Sequence, residues 1–391
     1  MHHTIPSSCA PGSDQQGLLA HRRPAGVGLA LVLGAWLPSA ASAQRPASSK
    51  PKHPRGLSAV FLAKTIRMPD GSQREYALFI PPQYNDDPAH RWPVILFLHG
   101  SAECGSDGIK QTRVGLPKYI ARHANQFPFI TVMPQAHSLW FRGKDAEAVW
   151  ITLDTVLKEY RADRDRVYIT GLSMGAFATW EMAMARPDVF AAAVPISGVG
   201  NKKFVSNILH MPVWAFHGRL DRHVPVSGSR EPIAELRRLG ARPRYTEYPN
   251  LKHNCWDRSY ADKRLWRWLL KQRRPPTPRV IDYILPGRLA HVWWLVAEAG
   301  KGLKTPARVH AQVTEDQRGK QIEINSSGVV AWALVSQSEP LKPGALLTIT
   351  WNGKTLGQGR FTGRIAYPPR VASESRPVTQ PAREPTTRPA H

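Results

Sequence analysis

Acidic residues are scarce in this chain. There are 29 Asp and Glu against 53 Lys and Arg, a net charge of +24 over 391 residues. Yet no five or six basic residues follow one another and no zinc-finger spacing occurs. The excess therefore reads as an Arg-rich surface with basic tails, not as a specific nucleic-acid footprint. Cysteine is nearly missing, with three in the whole chain, which excludes a scaffold built on disulfides. The apolar run 25–37 is too short to cross a bilayer comfortably, so no stable membrane span is expected. Neither H-E-x-x-H nor a dinucleotide fingerprint is present, and neither a metal nor any other cofactor is expected. With 42% apolar and 21% charged residues, a disordered, fibrous or collagen-like chain is excluded.

What is there begins with an address. The run AGVGLALVLGAWL (25–37) follows His21-Arg22-Arg23 and precedes Ala41-Ser42-Ala43. A basic segment, a short apolar stretch and an Ala-x-Ala site are the layout of a cleavable export signal, so cleavage is expected after Ala43, with a retained membrane anchor as the alternative. That places the mature protein outside the cytoplasm, secreted or periplasmic, and removes Cys9 with the signal. A polar linker over 44–56 follows.

From 57 to 274 short apolar runs alternate with helical patterns. Strands are predicted at 59–66, 76–80, 94–98, 129–133, 167–170, 191–196, 213–216 and 245–248. Helices are predicted at 110–123, 146–160, 174–185, 228–239 and 261–271. Such alternation predicts an α/β domain: a mostly parallel sheet, opened by a pair of strands and covered by helices on both faces. Pro275-Pro276-Thr277-Pro278 breaks the pattern. Beyond it, strand-like runs at 280–285, 292–297, 307–313, 321–324, 329–335, 346–351 and 360–365 predict a small antiparallel β module over 279–367. Asn352-Gly353 marks its clearest hairpin. Residues 368–391, rich in Pro, Ser, Thr and Arg, read as a disordered tail.

The chemistry gathers at strand ends. Gly171-Leu172-Ser173-Met174-Gly175 is a G-x-S-x-G motif between a predicted strand and a predicted helix, the context that makes it informative. Glycines permit the sharp turn, Ser173 is lifted out as a nucleophile, and the Met174 N–H at the helix start is an oxyanion donor. A serine needs a base and the base an orienting carboxylate. Asp221 follows the strand at 213–216 and His253 the strand at 245–248, in the chain order Ser, Asp, His. His223 is the rival base, Glu247 the rival carboxylate, and His217 reads as a packed structural residue. His99-Gly100-Ser101 follows the strand at 94–98, and a backbone N–H near Ser101 supplies a second oxyanion donor.

These segments, LFLHGSAECGSDG (96–108), VYITGLSMGAFATWEMA (167–183), VWAFHGRLDRHVPV (213–226) and YTEYPNLKHNCWDRSYAD (245–262), resemble secreted α/β-hydrolase esterases. The resemblance extends to predicted peptidases, dienelactone-hydrolase-like enzymes, and feruloyl- or polyhydroxyalkanoate-depolymerase-like esterases. It implies Ser173 as nucleophile, Asp221 as acid, His253 as base and 99–101 as the oxyanion loop. The family often has Gly where this chain has Ala102 and Ala176.

Residues 198–211 are too few for a helical lid, so the site is expected to be open. Trp140, Phe141 and Trp256 are candidates for an aromatic wall against an acyl or aryl group. The expected function is an exported serine ester hydrolase acting on bulky or polysaccharide-attached esters. A serine peptidase and a non-catalytic glycan- or polyanion-binding protein are the alternatives. Cys104 and Cys255, near the oxyanion and base loops, form a candidate disulfide.

Overall fold

In the computed structural model, residues 58–140, 143–336 and 338–368 are described. The signal-like segment, Cys9, the linker 44–56, Phe141 and the tail from 369 onward lie outside them.

The main sheet has eight strands in the order β1-β2-β4-β3-β5-β6-β7-β8. They are β1 (Phe61–Arg67), β2 (Gln73–Phe79), β3 (Trp92–Leu98), β4 (Ile130–Pro134), β5 (Ala162–Leu172), β6 (Ala192–Ile196), β7 (Trp214–Gly218) and β8 (Arg244–Tyr248). β1 pairs antiparallel with β2, and β2 with β4; every pair from β4 through β3 to β8 is parallel. The parallel strands β3, β6 and β7 are buried along their whole length, which is why they read as unbroken apolar runs. One face packs a core with α2 (Gly143–Glu159), α3 (Met174–Ala185) and α4 (Ser227–Arg238). The other packs α1 (Leu116–His123), α5 (Trp256–Ala261) and α6 (Lys263–Leu269). From β3 the chain moves outward to β4, then returns to place β5 on the other side of β3. That reversal leaves a crevice beyond the carboxyl ends of β3 and β5, where open α/β sheets bind ligands.

Two predicted helices depart from their expected limits: the one at 110–123 is broken, and the one at 261–271 starts at 263, behind an unpredicted short helix, α5. Gly115, at φ 62°, separates a short 3₁₀ turn (Lys110–Arg113) from α1. Asp262 accepts a hydrogen bond from the Arg264 N–H and so caps α6, ending α5 just before it. Residues 198–211 hold only a 3₁₀ segment, Lys202–Ile208.

Beyond 279, two sheets enclose a separate apolar core. One orders β10 (Leu289–Val292), β11 (Leu295–Ala299), β14 (Val329–Val335) and β17 (Arg364–Tyr367). The other orders β16 (Lys354–Arg360), β15 (Leu346–Trp351), β13 (Gly319–Ser327), β12 (Arg308–Asp316) and β9 (Val280–Ile284). The module is not wholly antiparallel as expected, because β13 and β15 run parallel. Asn352 and Gly353, both at positive φ, form the two-residue hairpin between β15 and β16. The run at 292–297 is no single strand: Trp293, at φ 49°, turns the chain with Trp294, and Val292 faces Leu295.

A seam joins the module to the α/β domain. Asn207 Nδ2 donates to the Ile284 carbonyl at 2.8 Å and its Oδ1 accepts from the Ile284 N–H at 2.9 Å. The Tyr283 hydroxyl donates to the Ala185 carbonyl at 2.8 Å, in the last turn of α3.

Candidate active site

Ser173 stands between β5 and α3 at φ 52° and ψ −121°, a strained backbone for a residue with a Cβ. The turn is tight because the residues two positions before and after it, Gly171 and Gly175, carry no side chain. A Cβ on Gly175 would sit 1.9 Å from the Leu98 carbonyl oxygen, and one on Gly171 would sit 2.3 Å from that of Gly175. The Ser173 N–H donates to the Ile196 carbonyl at 3.0 Å, tying the turn to the end of β6.

The three predicted residues form one line. Ser173 Oγ lies 3.0 Å from His253 Nε2, and His253 Nδ1 lies 2.7 Å from Asp221 Oδ2. The Asp221 side chain is fully buried. Its Oδ1 accepts the N–H groups of His223 and Val224, each at 2.9 Å, while Oδ2 also meets His217 Nε2 at 3.2 Å. Burial alone would raise this carboxyl, but hydrogen bonds from His217, His253 and the Val224 N–H outweigh it and hold it well below the usual carboxylate range. An ionised Asp221 keeps the imidazole proton on His253 Nδ1, so Nε2 is bare and accepts from the Ser173 hydroxyl.

The rivals fall elsewhere. His223 gives Asp221 its backbone N–H, while its exposed ring lies 5.2 Å from that of His253. Glu247 is engaged by Arg230 and by the Tyr245 hydroxyl. His217 is buried as expected, yet it does more than pack: it touches Asp221, and its Nδ1 lies 2.7 Å from Ser229 Oγ.

The loop after β3 lies against the serine. A Cβ on Gly100 would come within 3.5 Å of Ser173 Cβ and 3.1 Å of Glu103 Oε2. His99 Nδ1–H donates to the Gly100 carbonyl at 2.6 Å, and His99 Nε2 accepts the Ala136 N–H at 3.0 Å. Burial lowers the His99 imidazole to about 4, so it stays neutral. Fixing the Gly100 carbonyl also fixes the Ser101 N–H on the opposite edge of that trans peptide. Ser101 opens a 3₁₀ turn, Ser101–Glu103, and Met174 is the first residue of α3, where an N–H has no acceptor within the helix.

Sequence reasoning missed two residues here. The half-buried Glu103 carboxyl, raised by burial, borders Gly100. Ser197, just past β6, bonds to the base loop. The only sequence signal was place: Ser197 directly follows a buried strand, and Glu103 lies in the loop after another.

Two expectations are corrected. Trp140 is no cleft wall: it is fully buried under the loop, with its Nε1 donating to the His99 carbonyl at 2.8 Å and its ring 4.5 Å from the His99 ring. Trp256 does stand at the site, edge-on to His253 with ring centroids 5.3 Å apart. Cys104 and Cys255 are not bridged. The loops carrying them approach Ser173, but the sulfurs pack against cores on opposite faces of the sheet. Cys104 Sγ donates to the Ser138 carbonyl at 3.1 Å, and Cys255 Sγ lies 3.2 Å from Ser197 Oγ. Among the described residues, no three His, Cys, Asp or Glu side chains gather as a metal site, and no helix is long and apolar enough to cross a membrane.

Comparison with known proteins adds relatives to this geometry. Residues 74–229 match the family described as Esterase PHB depolymerase. The chain is 40% identical over 89 residues to poly(3-hydroxyalkanoate) depolymerase C of Paucimonas lemoignei, covering 19% of this chain and 22% of that one. It is 31% identical over 107 residues to a probable acetylxylan esterase A of Neosartorya fischeri, covering 24% and 29%. It is 29% identical over 139 residues to feruloyl esterase B of Neurospora crassa, covering 32% and 44%. The chain thus spans less than half the length of these curated relatives. Among solved structures, a thermostable esterase superposes with a TM-score of 0.50 at 34% identity, covering 56% of this chain and 64% of that one.

Proposed function

We propose, from the premise that the chain is an α/β-hydrolase related to esterases, that it is an exported serine hydrolase of carboxylic esters. The observation that carries this reading is the hydrogen-bonded line from Ser173 through His253 to Asp221.

Ser173 Oγ attacks the ester carbonyl carbon as its proton passes to His253 Nε2. Asp221 stays ionised and stabilises the imidazolium through the Nδ1–H bond. The carbonyl oxygen becomes an oxyanion and takes hydrogen bonds from the Met174 and Ser101 N–H groups. Each such donor is worth about 10²–10³ in rate. Collapse breaks the bond to the alcohol oxygen, which leaves with the proton from His253. Water, deprotonated by the same Nε2, then attacks the acyl group on Ser173 and releases the acid. Trp256, beside His253, gives the acyl or alcohol group an aromatic surface.

The substrates are bulky or polymer-borne esters, including acyl groups on polysaccharides. Two features support this: a 198–211 connection with no lid beyond its 3₁₀ segment, and relatives named for acetylxylan, feruloyl esters and polyhydroxyalkanoate. Export rests on the signal-like layout before Gln44.

The test is a panel of aryl acetates, feruloyl esters and peptide amides, combined with labelling by a fluorophosphonate. Label on Ser173, ester turnover above amide turnover, and loss of nearly all turnover in Ser173→Ala are expected. A folded Ser173→Ala protein keeping a tenth of the activity refutes the assignment.

A further inference from the structure

Ser197 is a buried non-glycine residue held at φ 57°. Left-handed backbone at a residue with a Cβ is unfavourable and persists only where the surroundings impose it, so such outliers point to function. Here the surroundings are three segments of the site. The residue before it, Ile196, accepts the N–H of Ser173 at 3.0 Å. The N–H of Ser197 donates to the carbonyl of Phe216 at 2.9 Å, on the strand that leads to Asp221. The hydroxyl of Ser197 donates to the carbonyl of His253 at 2.9 Å. Two consecutive residues thus hold the serine turn, the carboxylate strand and the base loop.

The bond to His253 is part of a chain. The His253 carbonyl also accepts the N–H of Cys255 at 2.9 Å. Since the Ser197 proton is committed to that carbonyl, the Cys255 thiol is the donor across the 3.2 Å contact with Ser197 Oγ. Burial, which raises the thiol to about 11, keeps that proton in place. Donors arranged in series strengthen one another in a dry interior. Next to Ser197, a Cβ on Gly198 would sit 2.5 Å from the Ala176 Cβ of α3, so the connection is wedged against the helix that Ser173 begins.

We infer that Ser197 is a positioning residue for the hydrolysis proposed above, its hydroxyl fixing the His253 backbone so that Nε2 meets Ser173 Oγ. The inference rests on that reading of the site. Without the hydroxyl, the His253 carbonyl keeps the local Cys255 N–H bond but loses its hydrogen bond to the end of β6, while the loop's other bonds, such as Leu220 N–H to the Leu251 carbonyl, remain. Small displacements of a general base are expensive, of the order of 10²-fold per ångström.

Two substitutions separate the hydroxyl from the strain. Ser197→Ala removes the hydroxyl and keeps the unfavourable φ; Ser197→Gly removes both. With p-nitrophenyl acetate, both variants are expected to lose about 10–100-fold in kcat with KM within about twofold. Ser197→Gly melts at a higher temperature than Ser197→Ala. In proton NMR, the downfield resonance of the His253 Nδ1–H weakens or broadens in both, a change that a purely stabilising role would not produce. Should Ser197→Ala not fold, Ser197→Gly carries the same kinetic and spectroscopic test. Wild-type kcat and an unchanged resonance in either folded variant overturn the inference while leaving the proposed function standing. A wild-type protein that neither turns over esters nor takes up fluorophosphonate at Ser173 overturns both.

Discussion

Asp221→Asn keeps the shape of the side chain and changes which groups carry protons. The position of the new amide is dictated by its neighbours. Oδ1 of Asp221 accepts two backbone N–H groups, from His223 and Val224, so the amide oxygen must take that place. The NH2 then occupies the place of Oδ2, facing His253 Nδ1 at 2.7 Å and His217 Nε2 at 3.2 Å. One hydrogen goes to each imidazole. His217 adapts by moving its proton to Nδ1, where Ser229 Oγ at 2.7 Å accepts it and passes its own to the Gly198 carbonyl at 3.2 Å. His253 has no such escape. Its proton moves to Nε2, the nitrogen that must accept from Ser173. The imidazolium also loses its counter-charge. A serine hydrolase base in the wrong tautomer loses about 10⁴ in kcat, or about 5 kcal/mol of transition-state stabilisation. The assay is p-nitrophenyl acetate hydrolysis on protein shown to be folded by near-ultraviolet circular dichroism, with nitrogen NMR reporting the tautomer of His253. A kcat within tenfold of wild type, or a neutral His253 still protonated on Nδ1, refutes the reasoning.

Two further outcomes are expected. Non-reducing peptide mapping yields no cross-link between Cys104 and Cys255, and in the native protein the buried Cys255 thiol, raised to about 11, resists alkylation; a 104–255 linked peptide refutes this. The His99 imidazole, lowered by burial to about 4, binds a proton in the unfolded chain but not in the folded one between its ordinary value near 6.5 and 4. Stability therefore falls as pH drops through that window, by about 3 kcal/mol from this group, and His99→Gln flattens the dependence; an unaltered slope in urea titrations from pH 7 to 4 refutes it.

Where a buried strand or helix imposes a period on its own residues, the sequence announced it. The runs at 94–98, 191–196 and 213–216 became β3, β6 and β7, and the helix read at 174–185 is α3 with the same limits. The motif at 171–175 and the strand-end positions of Asp221 and His253 were legible because the chemistry is tied to local chain features. Departures came where one residue outweighed the pattern, as at Gly115, Asp262 and Trp293. Long-range properties were not legible. The face of the sheet toward which Cys104 or Trp140 points depends on packing across the domain. Ser197 makes its contacts with residues 56 and 58 positions away, and a lone serine after a strand carries no periodic mark.

The seam between the two halves bears on how the helix after Ser173 ends. α3 begins just after Ser173, and its last carbonyls meet the seam: Met184 accepts from Asn207 Nδ2 at 3.1 Å and from the Tyr283 hydroxyl at 3.3 Å, and Ala185 accepts from the Tyr283 hydroxyl at 2.8 Å. Those oxygens have no partner within the helix. The β module thus serves as a buttress for the helix whose other end adjoins Ser173, and the domain cannot be trimmed at the proline break as though it were a cassette. Cutting there removes Tyr283, and with Ile284 gone both polar ends of the Asn207 amide lose a buried partner.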